Sequence, residues 1–215
     1  MFNIFTKRLF DPDLKLVSLM VAVTVTILFS LLDQTGWAAV INCPATPFTC
    51  NGTSGDDIIF AYYPSGNFIH GLAGNDYILG TGTNPNYLFG DEGNDILIGS
   101  AGNDALYGGL GNDRYYGGDG ADTIYDQPHL VGSLVSNDDI ISGNSGDDFI
   151  ISGEGIDNIQ GGLGNDMIYP GGYIHRDFSP DSINCGSGTG DKVFDFYSAD
   201  GDTAINCEFV LDGDY

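Results

Sequence analysis

The sequence predicts an all-β solenoid. Two face-to-face sheets of short parallel strands are wound from nine-residue blocks, two blocks per turn, behind an N-terminal hydrophobic helix. Three observations carry this. A phrase with glycine, aspartate and one bulky residue at fixed offsets repeats at a nine-residue period, as GSAGNDALY, GGLGNDRYY and GGDGADTIY over residues 99–125. Numbered on GGLGNDRYY, the block carries Asp or Asn at position six and an aliphatic residue at position eight in every one of fourteen blocks except the one with Tyr115. Of 30 acidic residues only Glu92, Glu154 and Glu208 are glutamate, and 33 of 215 residues are glycine. Asp and Gly build turns rather than strands, yet 42% of the chain is hydrophobic, enough for a thin core.

The N-terminus differs in kind. Lys7, Arg8 and Lys15 precede an uncharged stretch, 16–32, LVSLMVAVTVTILFSLL, followed by small residues at Gly36 and Ala38. This order reads as a secretory signal spanning 1–38 with cleavage after Ala38. The other reading is an uncleaved membrane anchor over 16–32, short for a span. Both place the remainder outside the cytoplasm, secreted or at the cell surface. The segment carries three acids and three bases, so the rest keeps the full formal charge of −24 with Arg114, Arg176 and Lys192 as its bases. That charge excludes nucleic acid as a partner, since phosphate contacts need Lys and Arg, and favours cations.

Residues 39–51 form a short N-terminal cap holding Cys43 and Cys50; Cys185 and Cys207 lie at the far end. Four cysteines in an exported chain imply disulfides, with three pairings open. A solenoid keeps its ends apart, which favours Cys43–Cys50 and Cys185–Cys207.

The repeat proper runs over 52–194, and a C-terminal cap follows over 195–215. Position eight sits in a three-residue extended stretch, where alternate residues share a face, so it points inward. One such strand buries nothing alone; copies stacked at about 4.8 Å per layer do. The turns then stack Asp over Asp, a repulsive column unless cations intervene. Calcium suits this, because it is a hard ion taking six to eight oxygens from carboxylates and backbone carbonyls.

GGLGNDRYY, GGDGADTIY and GGLGNDMIY resemble the RTX, or haemolysin-type, calcium-binding nonapeptide GGxGxDxUx. The resemblance implies a right-handed parallel β-roll with calcium between successive turns, held by position-six Asp and glycine-loop carbonyls. The stretch DSINCGSGTGDKVFDF, with the later NCEFV, is similar to the cap of secreted members. The chain departs from toxin and protease members in its N-terminal signal and in having no room for a catalytic or pore-forming module.

With two blocks per layer, one edge is expected to stack Asp57, Asp76, Asp95, Asp113, Asp139, Asp157 and Asp181. The other stacks Asn67, Asn86, Asp104, Asp122, Asp148, Asp166 and Asp191. The two asparagine turns are one residue longer and are expected to hold no calcium. The twelve aspartates are the expected metal ligands, for roughly six to nine calcium ions at one per pair of stacked half-sites. Two insertions, near 126–133 and 170–175, interrupt the repeat on the same edge, two layers apart. They bring His129, Tyr173, His175 and Arg176 into one neighbourhood, a ligand or partner site if they are more than tolerated loops. His70, at position nine of its block, is expected to be a surface residue.

No GxSxG, HExxH or P-loop motif is present, and the repeat accounts for nearly every Asp, so no catalytic constellation remains and no enzyme is expected. The expected function is a secreted β-roll that folds on calcium and serves as a structural, surface or adhesive module. The alternative is an extracellular polysaccharide-binding or -modifying protein, comparable to the rolls attached to alginate epimerases. Tyr107, Tyr116, Tyr125 and Tyr169, recurring at outward-facing position nine, are the feature that bears on it.

Overall fold

The computed structural model describes residues 39–43, 49–61, 66–126, 137–171, 179–196 and 198–212. The chain divides into two compact units, 1–37 and 38–215, and the described residues all lie in the second. The expected signal helix therefore falls outside the described residues. Among those residues no helix is long and apolar enough to cross a membrane.

Among the described residues eighteen short strands alternate between two parallel nine-stranded sheets. Sheet one takes Val40–Asn42, Ile58–Phe60, Tyr77–Leu79, Ile96–Ala101, Arg114–Asp119, Ile140–Ser145, Asn158–Leu163, Ser182–Ser187 and Thr203–Ile205, in that spatial order. Sheet two takes Thr49–Asn51, Phe68–Ala73, Tyr87–Glu92, Ala105–Leu110, Thr123–Tyr125, Phe149–Ile151, Met167–Tyr169, Lys192–Phe196 and Phe209–Asp212. Each strand pairs with the strand two further along the chain, so the winding is two blocks per turn, as the repeat requires. The all-β parallel solenoid is what the period predicted.

Position eight forms the core. In sheet one Ile41, Ile59, Ile78, Leu97, Tyr115, Ile141, Ile159, Ile183 and Ala204 lie in register. In sheet two Cys50, Ile69, Leu88, Leu106, Ile124, Ile150, Ile168, Val193 and Val210 do the same. From Ile59 to Ile168 every one of these side chains is fully buried, each contributing about 1.5–3 kcal/mol of apolar transfer.

The segments expected to be caps are both wound into the roll. Residues 40–42 and 49–51 supply the first strand of each sheet, and 203–205 and 209–212 the last. Cys50 takes a position-eight rung, which no aliphatic pattern reveals. The disulfides are Cys43–Cys50 and Cys185–Cys207, one at each end.

Candidate metal centres

The roll's two edges carry two columns of position-six side chains. On the first edge, Asp57, Asp76, Asp95, Asp113, Asp139, Asp157 and Asp181 are linked in series. The backbone N–H of each donates to Oδ1 of the next at 2.7–2.8 Å. On the second edge the same chain of bonds runs from Asn86 through Asp104, Asp122, Asp148 and Asp166 to Asp191, at 2.7–2.9 Å. Both columns go one layer beyond the expected repeat. Asp202 Oδ1 accepts from Asp181 N–H at 3.0 Å, and Glu208 Oε2 from Asp191 N–H at 2.9 Å. The motif blurs there because the apolar rung shrinks to Ala204 and a glutamate replaces the aspartate.

These bonds occupy one carboxylate oxygen. The other, Oδ2, turns in against the position-one glycine of its own turn. A Cβ added at Gly71, Gly90, Gly143 or Gly161 would lie 2.2–2.3 Å from it. The glycine is therefore needed for space. Position four is needed for conformation: Gly74, Gly111 and Gly164 have φ between 122° and 133°, a region that costs other residues.

Seven Oδ2 atoms, those of Asp76, Asp95, Asp104, Asp122, Asp148, Asp166 and Asp191, are buried and accept no hydrogen bond. A buried anionic oxygen without a donor is costly. Burial is accordingly the first cause of raised carboxyl pKa values: to about 7 for Asp76 and Asp122, about 8 for Asp148, and about 6 for Asp95 and Asp166. The backbone N–H bonds oppose this, and charge repulsion from neighbouring aspartates adds to it: Asp95, Asp57 and Asp56 act on Asp76, and Asp122, Asp166 and Asp147 on Asp148. Each column is thus a stack of half-sites that wants positive charge between its layers.

A family model described as the RTX calcium-binding nonapeptide repeat, in four copies, matches residues 65–84, 89–124 and 136–168. These are RTX calcium-binding nonapeptide repeats. The comparisons with curated proteins and with solved structures give no match. RTX repeats bind calcium, and the donor set fits it: stacked carboxylates each with one oxygen lacking a donor, in turns whose glycine carbonyls approach the next layer. A Cβ at Gly71 would lie 2.7 Å from the Gly90 carbonyl oxygen.

The asparagine turns of the RTX roll are built differently. Asn86 Nδ2 lies 3.0 Å from where a Gly80 Cβ would stand, in the slot that Oδ2 fills elsewhere. It points at Asp104 Oδ1 at 3.0 Å and the Gly99 carbonyl at 3.3 Å. Asn67 Nδ2 donates to Asn86 Oδ1 at 3.0 Å. An amide supplies hydrogens where the aspartate turns leave bare oxygens.

Three features escaped the sequence reading. Position five forms a second, exposed ladder of opposite sense: Asp56, Asn75, Asn94, Asn112 and Asp138 each accept the backbone N–H of the next layer, at 2.8–3.2 Å. The recurrent ND and DD dipeptides were its signal. Asp126, expected to open an insertion, instead sits fully buried in the position-one slot; its N–H donates to the Ile151 carbonyl at 2.8 Å as part of the stack. The insertion therefore begins one residue later. His70 is half-buried, stacked on Phe89 at 4.4 Å and paired with Asp91 Oδ2 at 3.1 Å.

His129, Tyr173, His175 and Arg176 lie outside the described residues. The strands flanking both insertions leave sheet two at Tyr125 and Tyr169 and enter sheet one at Ile140 and Ser182, on the first edge. The outward position-nine rings of sheet two do form a ladder. His70, Phe89 and Tyr107 stack at 4.4–4.8 Å within 7° of parallel, and Tyr169 stacks on Phe194 at 4.8 Å. Tyr116 belongs to sheet one and stands apart from it.

Proposed function

We propose that this calcium-binding roll is an exported structural, surface or adhesive module whose folding is completed by calcium outside the cell. The seven buried Oδ2 atoms without donors carry the reading. A chain at −24 with stacked aspartates repels itself, so the free energy of ion binding becomes folding free energy. Low calcium inside keeps the chain loose for export; millimolar calcium outside closes it. The ligands in this reading are the twelve position-six aspartates, for roughly six to nine ions at one per pair of half-sites. RTX rolls of this kind are generally non-catalytic, and no enzymatic role is proposed.

The aromatic ladder is the one observation bearing on a polysaccharide partner. Rings stacked face to face cover one another's faces, which are the surfaces a sugar ring would stack on, so the ladder supports a role in covering sheet two.

Far-UV circular dichroism tests the proposal. The metal-stripped chain at pH 8 should show little β signal. A cooperative gain at sub-millimolar to millimolar calcium, not reproduced by magnesium, is the expected result. A β spectrum already complete without metal would overturn the calcium-folding reading.

A further inference from the structure

The first column is interrupted midway by side chains foreign to the repeat. Position eight is Tyr115 where every other block has an aliphatic residue, position one is Asp126, and position one of the following turn is Ser152. All three are fully buried. Asp113, Asp126 and Asp139 each bring a carboxylate oxygen within 4.8 Å of the other two.

Counting protons shows what this cluster lacks. The Tyr115 hydroxyl has one hydrogen, which goes to Asp126 Oδ1 in a short bond; Asp113 Oδ2 lies 3.5 Å from the same hydroxyl. The Asn137 amide has two, directed at Asp126 Oδ2 and, at 3.4 Å, at Asp139 Oδ2. No hydrogen remains for Asp113 Oδ2.

An independent observation comes from Ser152. Position-one side chains point inward at both edges: Cys43, Ala61 and Cys185 are buried on the second edge and Asp126 and Ser152 on the first, and the glycines in this slot abut Oδ2. Ser152 adjoins Asp126 in the stack, since a Cβ on Gly153 would lie 2.8 Å from Asp126 Oδ2. Its hydroxyl is 0% exposed and has no hydrogen-bond partner. A carboxylate oxygen with no hydrogen calls for a cation, and a buried hydroxyl with no partner has an oxygen lone pair free to ligate one.

We propose that Asp113, Asp126 and Asp139 hold a divalent cation in a three-carboxylate site, with the Ser152 hydroxyl as the neutral oxygen of the adjoining turn. The site rests on the calcium reading of the roll for Asp113 and Asp139, and differs from the repeat turns by Asp126. Affinity for such ions rises with ligand charge, so the third carboxylate makes this the first site to fill. Tyr115 is a positioning residue that fixes Asp126 through its hydroxyl.

Calorimetric titration of the purified chain with calcium, paired with terbium luminescence under tyrosine excitation, tests this. Asp126→Gly and Tyr115→Leu return the layer to residues used elsewhere in the repeat, so both variants are expected to fold with calcium. Asp126→Gly should keep the ion count, as an ordinary repeat turn does, but weaken the tightest phase about tenfold or more, with the remaining phases intact. Ser152→Ala should weaken that same phase alone. Tyr115→Leu should lose terbium emission from the first equivalent bound. An unchanged tightest phase in Asp126→Gly would overturn the site and leave a hydrogen-bonded cluster. A wild-type chain that binds no cation would overturn the calcium reading itself.

Discussion

The two turns at Asn67 and Asn86 and the five turns from Asp104 to Asp191 share one edge, one strand geometry and one backbone ladder, yet solve the same electrostatic problem differently. In the aspartate turns Oδ1 is satisfied by a backbone N–H and Oδ2 is left bare. In the asparagine turns the second atom is a donor: Asn67 Nδ2 bonds to Asn86 Oδ1, and Asn86 Nδ2 to Asp104 Oδ1 and the Gly99 carbonyl. The backbone of an RTX turn is therefore indifferent to charge, and the position-six atom facing the glycine decides whether the layer needs a cation. One stretch of the edge closes by hydrogen bonds; the other leaves bare oxygens that a cation would close.

The largest test of that contrast is pH without metal. Unfolded aspartates titrate near 3.9; in the roll Asp122 is raised to about 7, Asp148 to about 8 and Asp166 to about 6, chiefly by burial. The folded form binds protons more tightly, so stability falls as pH rises. The contribution is complete below about pH 4 and lost as pH climbs through the raised values, between 6 and 8. The metal-stripped chain should thus be more β-structured at pH 5 than at pH 8, the reverse of ordinary acid denaturation. Calcium, competing with these protons, should bind more tightly as pH rises over the same interval. Dichroism across pH in metal-free buffer checks it; loss of β signal on acidification from pH 8 to 5 would break the comparison.

A reciprocal exchange sharpens it. Asn86→Asp replaces a donor by an oxygen beside Asp104 and should cost about 1–3 kcal/mol in metal-free buffer, the price of an unpaired buried acceptor. Calcium should restore most of that and add binding at this layer. Asp148→Asn should do the opposite: it lowers the calcium stoichiometry and makes the metal-free roll less sensitive to pH. Thermal unfolding with and without calcium, at pH 6 where the metal-free roll should retain its β structure, reads both. Equal shifts under the two conditions would mean that position six does not set the metal requirement.

Much of this was legible in the sequence, for reasons the same contrast makes plain. The edge assignment of every position-six residue from Asp57 to Asp191 follows from period alone, because a winding with two blocks per turn leaves no freedom once position eight must face inward. The asparagine turns stood out by charge and length. Ser152 and Asp126 did not, because both meanings of position one, space beside Oδ2 and direction into the column, exist only in three dimensions. Asp126 also adjoins an insertion, where the nine-residue register gives no cue that the stack continues. Cys50 hid as a core rung because a half-disulfide does not read as an aliphatic. Position five drew no reading of its own, since Asn and Asp satisfy local turns and interlayer ladders with the same atoms.

The position-five ladder supplies the smallest and most discriminating prediction. Asn94 accepts the Asn112 N–H at 2.8 Å and donates its own to Asn75 at 2.9 Å, on the exposed rim of the first edge. It carries no charge and faces no bare oxygen, so its contribution should not depend on metal. Asn94→Ala should cost about 0.5–1.5 kcal/mol, the net worth of one hydrogen bond, and the cost should be the same with and without calcium. Calcium stoichiometry should stay at the wild-type value. The ladder then holds the layers at their spacing, while position six sets the charge between them. A larger loss in calcium than in its absence would show that the rim and the carboxylate column act as one unit, and that position five shapes the ion sites as well as the stack.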